Sequence, residues 1–307
     1  MDYLIDPEQI HFFSRGIKCA ARLYRPAEQH PNNAYCIVMG HGFGLTMDCG
    51  LDPFISKFIK VGFFVMTFDY RHFGHSEGKP RQVLIPGKQI EDWSAAVEFA
   101  SHSIDNQKKK IILWGTSFSG GYVISAGVKN PDVTAIIAQC PALDGLSIMF
   151  NTLQYAGIFN FIRLSCHSIL DWLCALFNLK PHTIRIYGNP GEIAAMATVD
   201  SKSGYESIVS RSETFINNFC ARTMLLMGMH LPVLKAKHIK CPVLLLICKK
   251  DSVAPVKSAK LVRKKSPEFV QYKEFDIGHF DIYLGKNSEI SIKEQLSFLN
   301  NITQNNL

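Results

Sequence analysis

The residues best suited to chemistry sit where an apolar run breaks at a serine. Ile111-Ile112-Leu113-Trp114-Gly115 reads as a strand, passes into Gly115-Thr116-Ser117-Phe118-Ser119-Gly120-Gly121, and continues as the helical run YVISAGVKN. Strand, tight turn and helix in that order make a nucleophile elbow. Its serine occupies a strained conformation, the residues two before and two after it must be small, and the following helix aims N–H groups and a positive dipole end at the reacting oxygen. Two frames meet the small-residue requirement: Gly115 and Ser119 flank Ser117, while Ser117 and Gly121 flank Ser119. We take Ser117 as the nucleophile, because it lies immediately past the strand and leaves Gly120 for close helix packing. A serine so placed performs acyl transfer, provided that a base, an orienting acid and donors for an oxyanion are near.

Residues for those roles lie on both sides of the elbow. After the first long apolar run come Met39-Gly40-His41-Gly42-Phe43-Gly44, where glycines permit a tight turn that aims the Phe43 N–H at an oxyanion. Phe118, directly after the nucleophile, supplies the second N–H. His41 and Gly42 are expected to contact substrate from the same turn. A Gly-rich turn can also cradle phosphate, but the chain holds neither GxGxxG nor a GKS or GKT run, so nucleotide binding is not expected. The run VLLLIC ends in Lys249-Lys250-Asp251-Ser252-Val253-Ala254-Pro255, which puts Asp251 in a loop at the carboxyl end of a strand. An aspartate there can fix an imidazole tautomer, and the position also suits a helix N-cap. His279, in EFDIGHFDIYLG, is the one histidine of eleven that follows both Ser117 and Asp251, whereas His41, His72 and His75 are expected near the pocket rim.

Periodicity indicates the elements that must position these groups. IHFF, a turn at Ser14-Arg15-Gly16, and alternating Ile17, Cys19, Ala21 and Leu23 predict an antiparallel hairpin. The apolar runs at 35–40, 63–69, 111–115, 134–139 and 243–248 suit strands buried on both faces of a parallel sheet, with a last strand at 270–275. Ile90, Trp93, Val97 and Ala100 share one helical face, as do Ile292, Leu296 and Leu299. The expected fold class is α/β: a mostly parallel, doubly wound sheet with an N-terminal antiparallel hairpin, built from residues 1–145 and 236–307. Residues 146–235, roughly ninety with helical character and no strong strand, are too many for an ordinary connection and predict an inserted helical cap. Its apolar first part is interrupted by Asn151, Gln154, Asn160, Arg163, His167 and Asp171, so it reads as lid helices rather than a transmembrane segment, with Phe161 and Trp172 as substrate contacts.

Composition narrows the class further. A chain of 307 residues that is 47% hydrophobic, 19% charged and 11% aromatic is that of a globular enzyme rather than a disordered or fibrous chain. Nine cysteines without a CxxC pair, and with no histidine at zinc-ligand spacing, read as buried reduced thiols, so no metal is expected. The leading MDYLIDPEQIHFF lacks a basic region followed by an apolar stretch, so the expected location is cytoplasmic. The formal charge of +7 arises from lysine clusters beside expected strands and short helices, without a nucleic-acid motif, and no nucleic-acid partner is expected. A homodimer is left open.

The runs FDYRHFGHSEG, GTSFSGG, KKDSVAP and GHFDIY resemble the α/β-hydrolase superfamily over nearly the whole chain, and within it hydrolases grouped with Xaa-Pro dipeptidyl-peptidase-like and serine-aminopeptidase-like proteins. Ser119 stands where that pattern usually has glycine. The resemblance implies a Ser117–His279–Asp251 triad and no cofactor. Serine rather than aspartate at the elbow argues against dehalogenase or epoxide hydrolase chemistry. The cap, rich in Phe, Leu, Ile and Met, favours a small-molecule acyl substrate held as an ester or thioester. A peptidase would need an anion for a free amine, for which Glu192, Asp200, Glu206 or Glu213 could serve. An acyltransferase would use the same triad, and an intact triad argues against a non-catalytic receptor.

Overall fold

The computed structural model of the chain describes residues 6–27, 29–104 and 107–304, so Met1–Ile5 of the leading segment lie outside the described residues. The chain enters as a hairpin, β1 (Glu8–Ser14) and β2 (Ile17–Tyr24), turned by Arg15 and Gly16 at φ of 50° and 80°. Two successive positive φ values match the right-handed twist of the flanking strands, and glycine accepts one without strain. There follow β3 (Tyr35–Gly40), α1 (Asp52–Lys60), β4 (Phe64–Phe68), α2 (Pro86–His102), β5 (Lys110–Thr116), α3 (Phe118–Lys129) and β6 (Val133–Gln139). A long excursion comprises α4 (Gly145–Leu176), β7 (Thr183–Tyr187), β8 (Ala194–Met196), α5 (Ser201–Val209), β9 (Phe219–Cys220) and α6 (Thr223–Leu226). The chain then returns as β10 (Val243–Cys248), α7 (Val256–Lys265), β11 (Val270–Phe275) and α8 (Gly285–Gln304).

Eight strands form one sheet in the order β1-β2-β4-β3-β5-β6-β10-β11, antiparallel at β1, β2 and β4 and parallel from β4 onward. Every residue of β3, β4 and β10 is buried, the signature of strands covered on both faces. A series of buried side-chain bonds crosses this core: Trp114 Nε1 donates to Gln295 Oε1 at 2.7 Å, and Gln295 Nε2 donates to Gln139 Oε1 at 3.0 Å, tying α8 across β5 and β6. Crossovers between parallel strands place the carboxyl ends of β3, β5, β6 and β10 at one edge, where loops can converge.

The inserted segment is not all helical. It carries a three-stranded sheet, β8-β7-β9, which corrects the expectation of a helical cap over 146–235. The strands escape pattern reading because they are short and only Ile184 and Ile186 of β7 alternate inward, while the Ala-Ala-Met of β8 has little β propensity. Helix α4 is broken by Gly157 at φ 77° and ψ 163°, a region open essentially to glycine alone. Its second half is anchored by Asp171, fully buried, which accepts from the Arg222 Nε at 2.7 Å and from the His182 N–H at 2.8 Å. The apolar residues of α4 do not all turn inward: Leu164 is buried, whereas Phe159 is 82% exposed. Among the described residues no helix is long and apolar enough to cross a membrane. All nine cysteines are free, but Cys166 is exposed and Cys174 and Cys241 are half-buried, which corrects the expectation that all are buried.

One carboxylate joins insertion to core. Asp48, in the loop after β3, accepts from Thr46 Oγ1 (2.6 Å), Ser212 Oγ (2.8 Å), the Glu213 N–H (3.0 Å) and Thr214 Oγ1 (3.1 Å). Burial alone would raise its pKa, but these donors outweigh it and hold the carboxyl at about 2, below its ordinary 3.8. A depressed carboxylate contributes stability that is present above its unfolded pKa and lost as pH falls through the folded value. Asp48→Asn should therefore cost about 1 kcal/mol at neutral pH, after discounting for the half-exposed site. In urea unfolding, the gap between wild type and variant should narrow as pH falls from 5 to 3; a gap independent of pH would show that the charge is not what clamps the insertion.

Candidate active site

Ser117 sits between the last residue of β5 and the first of α3 at φ 54° and ψ −116°, a backbone conformation rare for a side-chain-bearing residue. Its surroundings fix that conformation from both sides. The Ser117 N–H donates to the Gln139 carbonyl at 2.8 Å, and the Ala142 N–H donates to the Ser117 carbonyl at 2.8 Å, so the end of β6 grips the turn. A Cβ on Gly115 would run into the Ser119 carbonyl, which explains the glycine two residues before the turn. The two serines of the elbow divide clearly. Ser119 is fully buried, its Oγ donating to the His41 carbonyl and lying 2.5 Å from the Tyr70 hydroxyl. Ser117 instead presents its Oγ 3.0 Å from His279 Nε2.

His279 follows β11, and its Nδ1 lies 2.6 Å from Asp251 Oδ2. The other Asp251 oxygen accepts from the Val253 and Ala254 N–H groups at 2.8 and 2.6 Å, so the carboxylate is fixed in the loop after β10. An ionised carboxylate only accepts, which assigns a proton to Nδ1; in the neutral ring Nε2 is then free to accept from the Ser117 hydroxyl. Burial alone favours the neutral ring. The Asp251 carboxylate outweighs burial and, with Cys140 and Asp200 nearby, raises the His279 pKa to about 9.

The loop after β3 passes close to Ser117: a Cβ built on Gly42 would lie 3.3 Å from Ser117 Cβ. Neither the Phe43 nor the Phe118 N–H donates to an acceptor among the described residues. Their rings meet edge to face at 5.4 Å, and Phe118 stacks on His230 at 4.2 Å. Tyr205, from α5, donates to the Phe43 carbonyl at 3.0 Å, so the insertion also braces this loop. His230 and Tyr205 escaped sequence reading. No motif marks them, and Tyr205 lies 162 residues from its partner.

A cleft opens beside Ser117, enclosing about 750 Å³ of empty space including the solvent at its mouth. Phe43, Phe118, Met149, Phe161 and Leu164 help to line it, and its described walls carry no charged side chain. Phe161 faces this space, and Trp172 does not. Trp172 shares the helical phase of Phe161 but lies about 16 Å farther along the axis, beyond the cleft, and is 53% exposed, which corrects its expected substrate contact. His41 is likewise not a wall. Its buried ring packs edge-on to Tyr70 at 5.0 Å with Nδ1 3.1 Å from the Gly42 carbonyl, and burial lowers its pKa to about 4. Gly42 approaches Ser117 without lining the cleft, and His72 and His75 also lie off its walls. Among the cap carboxylates, Asp200 accepts from Thr198 and Ser252, Glu192 pairs with Arg185, Glu206 and Glu213 are exposed, and none lines the cleft. Among the described residues no group of three or more His, Cys, Asp or Glu side chains could hold a metal ion.

Comparison with known proteins identifies a family and a fold. A family model described as serine aminopeptidase, S33, matches residues 31–279. The chain is 33% identical over 296 residues to the quorum-quenching protein AidA of Acinetobacter baumannii, covering 96% of this chain and 95% of that protein. A shorter stretch of 129 residues, 42% of this chain and 39% of the relative, is 37% identical to the thiohydrolase aneE of Aspergillus aculeatus. The solved structure of the α/β hydrolase GrgF from Penicillium sp. sh18 superposes with a TM-score of 0.79 over 98% of this chain and 100% of that one, at 19% identity, a likeness of fold.

The charge balance at His279 has a direct readout. Imidazole NMR should show His279 titrating above neutrality, toward about 9, and Asp251→Asn should move that titration down by at least about one unit as the opposing charge is removed. A wild-type value at or below the ordinary 6.5 would mean that burial, not Asp251, governs the ring.

Proposed function

Because the chain belongs to the serine aminopeptidase S33 family of α/β-hydrolases, matched from residue 31 to 279, we propose that it cleaves a carboxylic ester or thioester of an apolar acyl group through an acyl-enzyme. The observation that carries this reading is the hydrogen-bonded series Ser117–His279–Asp251, at 3.0 and 2.6 Å, beside a cleft whose described walls carry no charged side chain. His279 Nε2 takes the Ser117 proton as Oγ attacks the carbonyl carbon. The developing oxyanion is met by the Phe43 and Phe118 N–H groups, neither of which has another acceptor among the described residues. His279 then protonates the leaving alkoxide or thiolate. Water, activated by the same nitrogen, releases the acid and restores Ser117. Asp251 stays ionised throughout, holding the tautomer and stabilising the imidazolium.

The apolar walls support an acyl chain over a peptide. A free amine brought to this cleft would meet no carboxylate, since Glu192, Asp200, Glu206 and Glu213 all lie off its walls. The name of the thiohydrolase relative accords with a thioester as one form of the substrate.

A hydrolysis panel of p-nitrophenyl esters, lactones, acyl-CoA thioesters and aminoacyl amides tests the proposal. Esters or thioesters should turn over and aminoacyl amides should not, and kcat/KM should rise with pH as His279 loses its proton. Ser117→Ala should abolish fluorophosphonate labelling and lower kcat by about a millionfold. Phe161→Ala should shift preference toward longer acyl chains with folding little changed. Preferential cleavage of aminoacyl amides would replace this reading with a peptidase, and labelling at Ser119 would displace the nucleophile.

A further inference from the structure

We propose that Trp93, Tyr70 and Ser119 form a buried, one-directional series of hydrogen bonds that positions the Phe43 N–H for the oxyanion, making all three positioning residues for the proposed reaction. The inference rests on the ester or thioester hydrolase reading above, and on Phe43 as a donor within it.

The direction of every bond is fixed by its ends. An indole nitrogen can only donate, and Trp93 Nε1 lies 2.7 Å from the Tyr70 hydroxyl oxygen. Tyr70 therefore accepts from Trp93 and turns its own proton to Ser119 Oγ, 2.5 Å away. A carbonyl can only accept, so Ser119 in turn donates to the His41 oxygen. No other donor among the described residues reaches that carbonyl. Trp93, Tyr70, Ser119 and His41 are all buried, so a broken link leaves polar groups without water to replace the partner.

The effect on Phe43 passes through two successive peptide planes. Ser119 holds the plane between His41 and Gly42 by its oxygen. The next plane is held by the Gly42 oxygen, which accepts from the Leu45 N–H at 3.3 Å and from His41 Nδ1 at 3.1 Å. In a trans peptide the C=O and N–H point in opposite directions. Anchoring the Gly42 carbonyl on one side thus directs the Phe43 N–H to the other. The neutral His41 ring that makes this contact is seated against Tyr70, so both planes depend on the same tyrosine. Serine two residues after the nucleophile, where this fold usually has glycine, is thereby explained: Ser119 is small enough for the elbow and carries the hydroxyl that the His41 carbonyl requires.

The test compares Ser119→Ala, Tyr70→Phe and the double variant with wild type, all melting within a few degrees of one another. Tyr70→Phe keeps the ring and its packing, and so remains informative even where Ser119→Ala fails to fold. With a p-nitrophenyl ester, Ser119→Ala should lower kcat about 10- to 100-fold with KM changed no more than about threefold, and Tyr70→Phe should do so to a smaller extent. Fluorophosphonate labelling of Ser117 and inhibition by a boronic acid, which both place an anionic oxygen at the same donors, should weaken by the same factor. The double variant should be no worse than Ser119→Ala alone, because a series cut at one link is already cut. Wild-type kcat and labelling rate in Ser119→Ala, or losses that multiply in the double variant, would overturn the positioning role while leaving the hydrolase reading intact. Failure of wild type itself to label at Ser117 would overturn both.

Discussion

The backbone of Ser117, held at a positive φ by two hydrogen bonds to the end of β6, is the constraint on which the rest of the site depends. The conformation is costly for a serine and persists only because its surroundings over-determine it. They comprise the parallel pairing of β5 with β6, a glycine at 115 to let the chain close on Ser119, and a helix that begins at Phe118. Each follows from a requirement for the turn. The fold can therefore be read outward from that residue: β6 must lie beside β5, β10 beside β6, and the loops carrying Asp251 and His279 must leave the same edge of the sheet.

Two histidines of this chain show how environment, rather than residue type, assigns a role. Both His41 and His279 are buried. His41 faces a backbone carbonyl and is left neutral by burial, its pKa lowered to about 4, so it serves as a fixed donor to the loop. His279 faces a carboxylate that outweighs burial and raises its pKa to about 9, so it can carry a proton between steps. The difference is one charged oxygen at 2.6 Å.

The insertion does more than cover the site. Phe161 and Leu164 of α4 face the cleft, Tyr205 of α5 holds the Phe43 carbonyl, and Asp48 of the core gathers residues 212–214. The walls that would receive substrate and the loop that would receive its developing charge are thus braced by the same segment. In the proposed reaction this would link selectivity for the acyl group mechanically to alignment of the oxyanion donors.

The sequence by itself determined the sheet and its order of chemical groups. Strands at 35–40 and 243–248 were legible to the residue, because continuous apolar runs have only one place in a parallel α/β sheet. Ser117, Asp251 and His279 were legible because the elbow, the loop after a strand and the chain order are local or ordinal signals. The tertiary structure decided whatever depends on distance between remote segments. Trp172 has the right helical phase for the cleft but lies about three turns too far along α4, a coordinate that periodicity does not contain. The short strands β7, β8 and β9 form only because they find each other, and their composition alone does not call for them. The roles of Tyr205 and His230, and the series from Trp93 to His41, were invisible in the sequence because a buried hydrogen bond is a property of two residues brought together, and no single position encodes it.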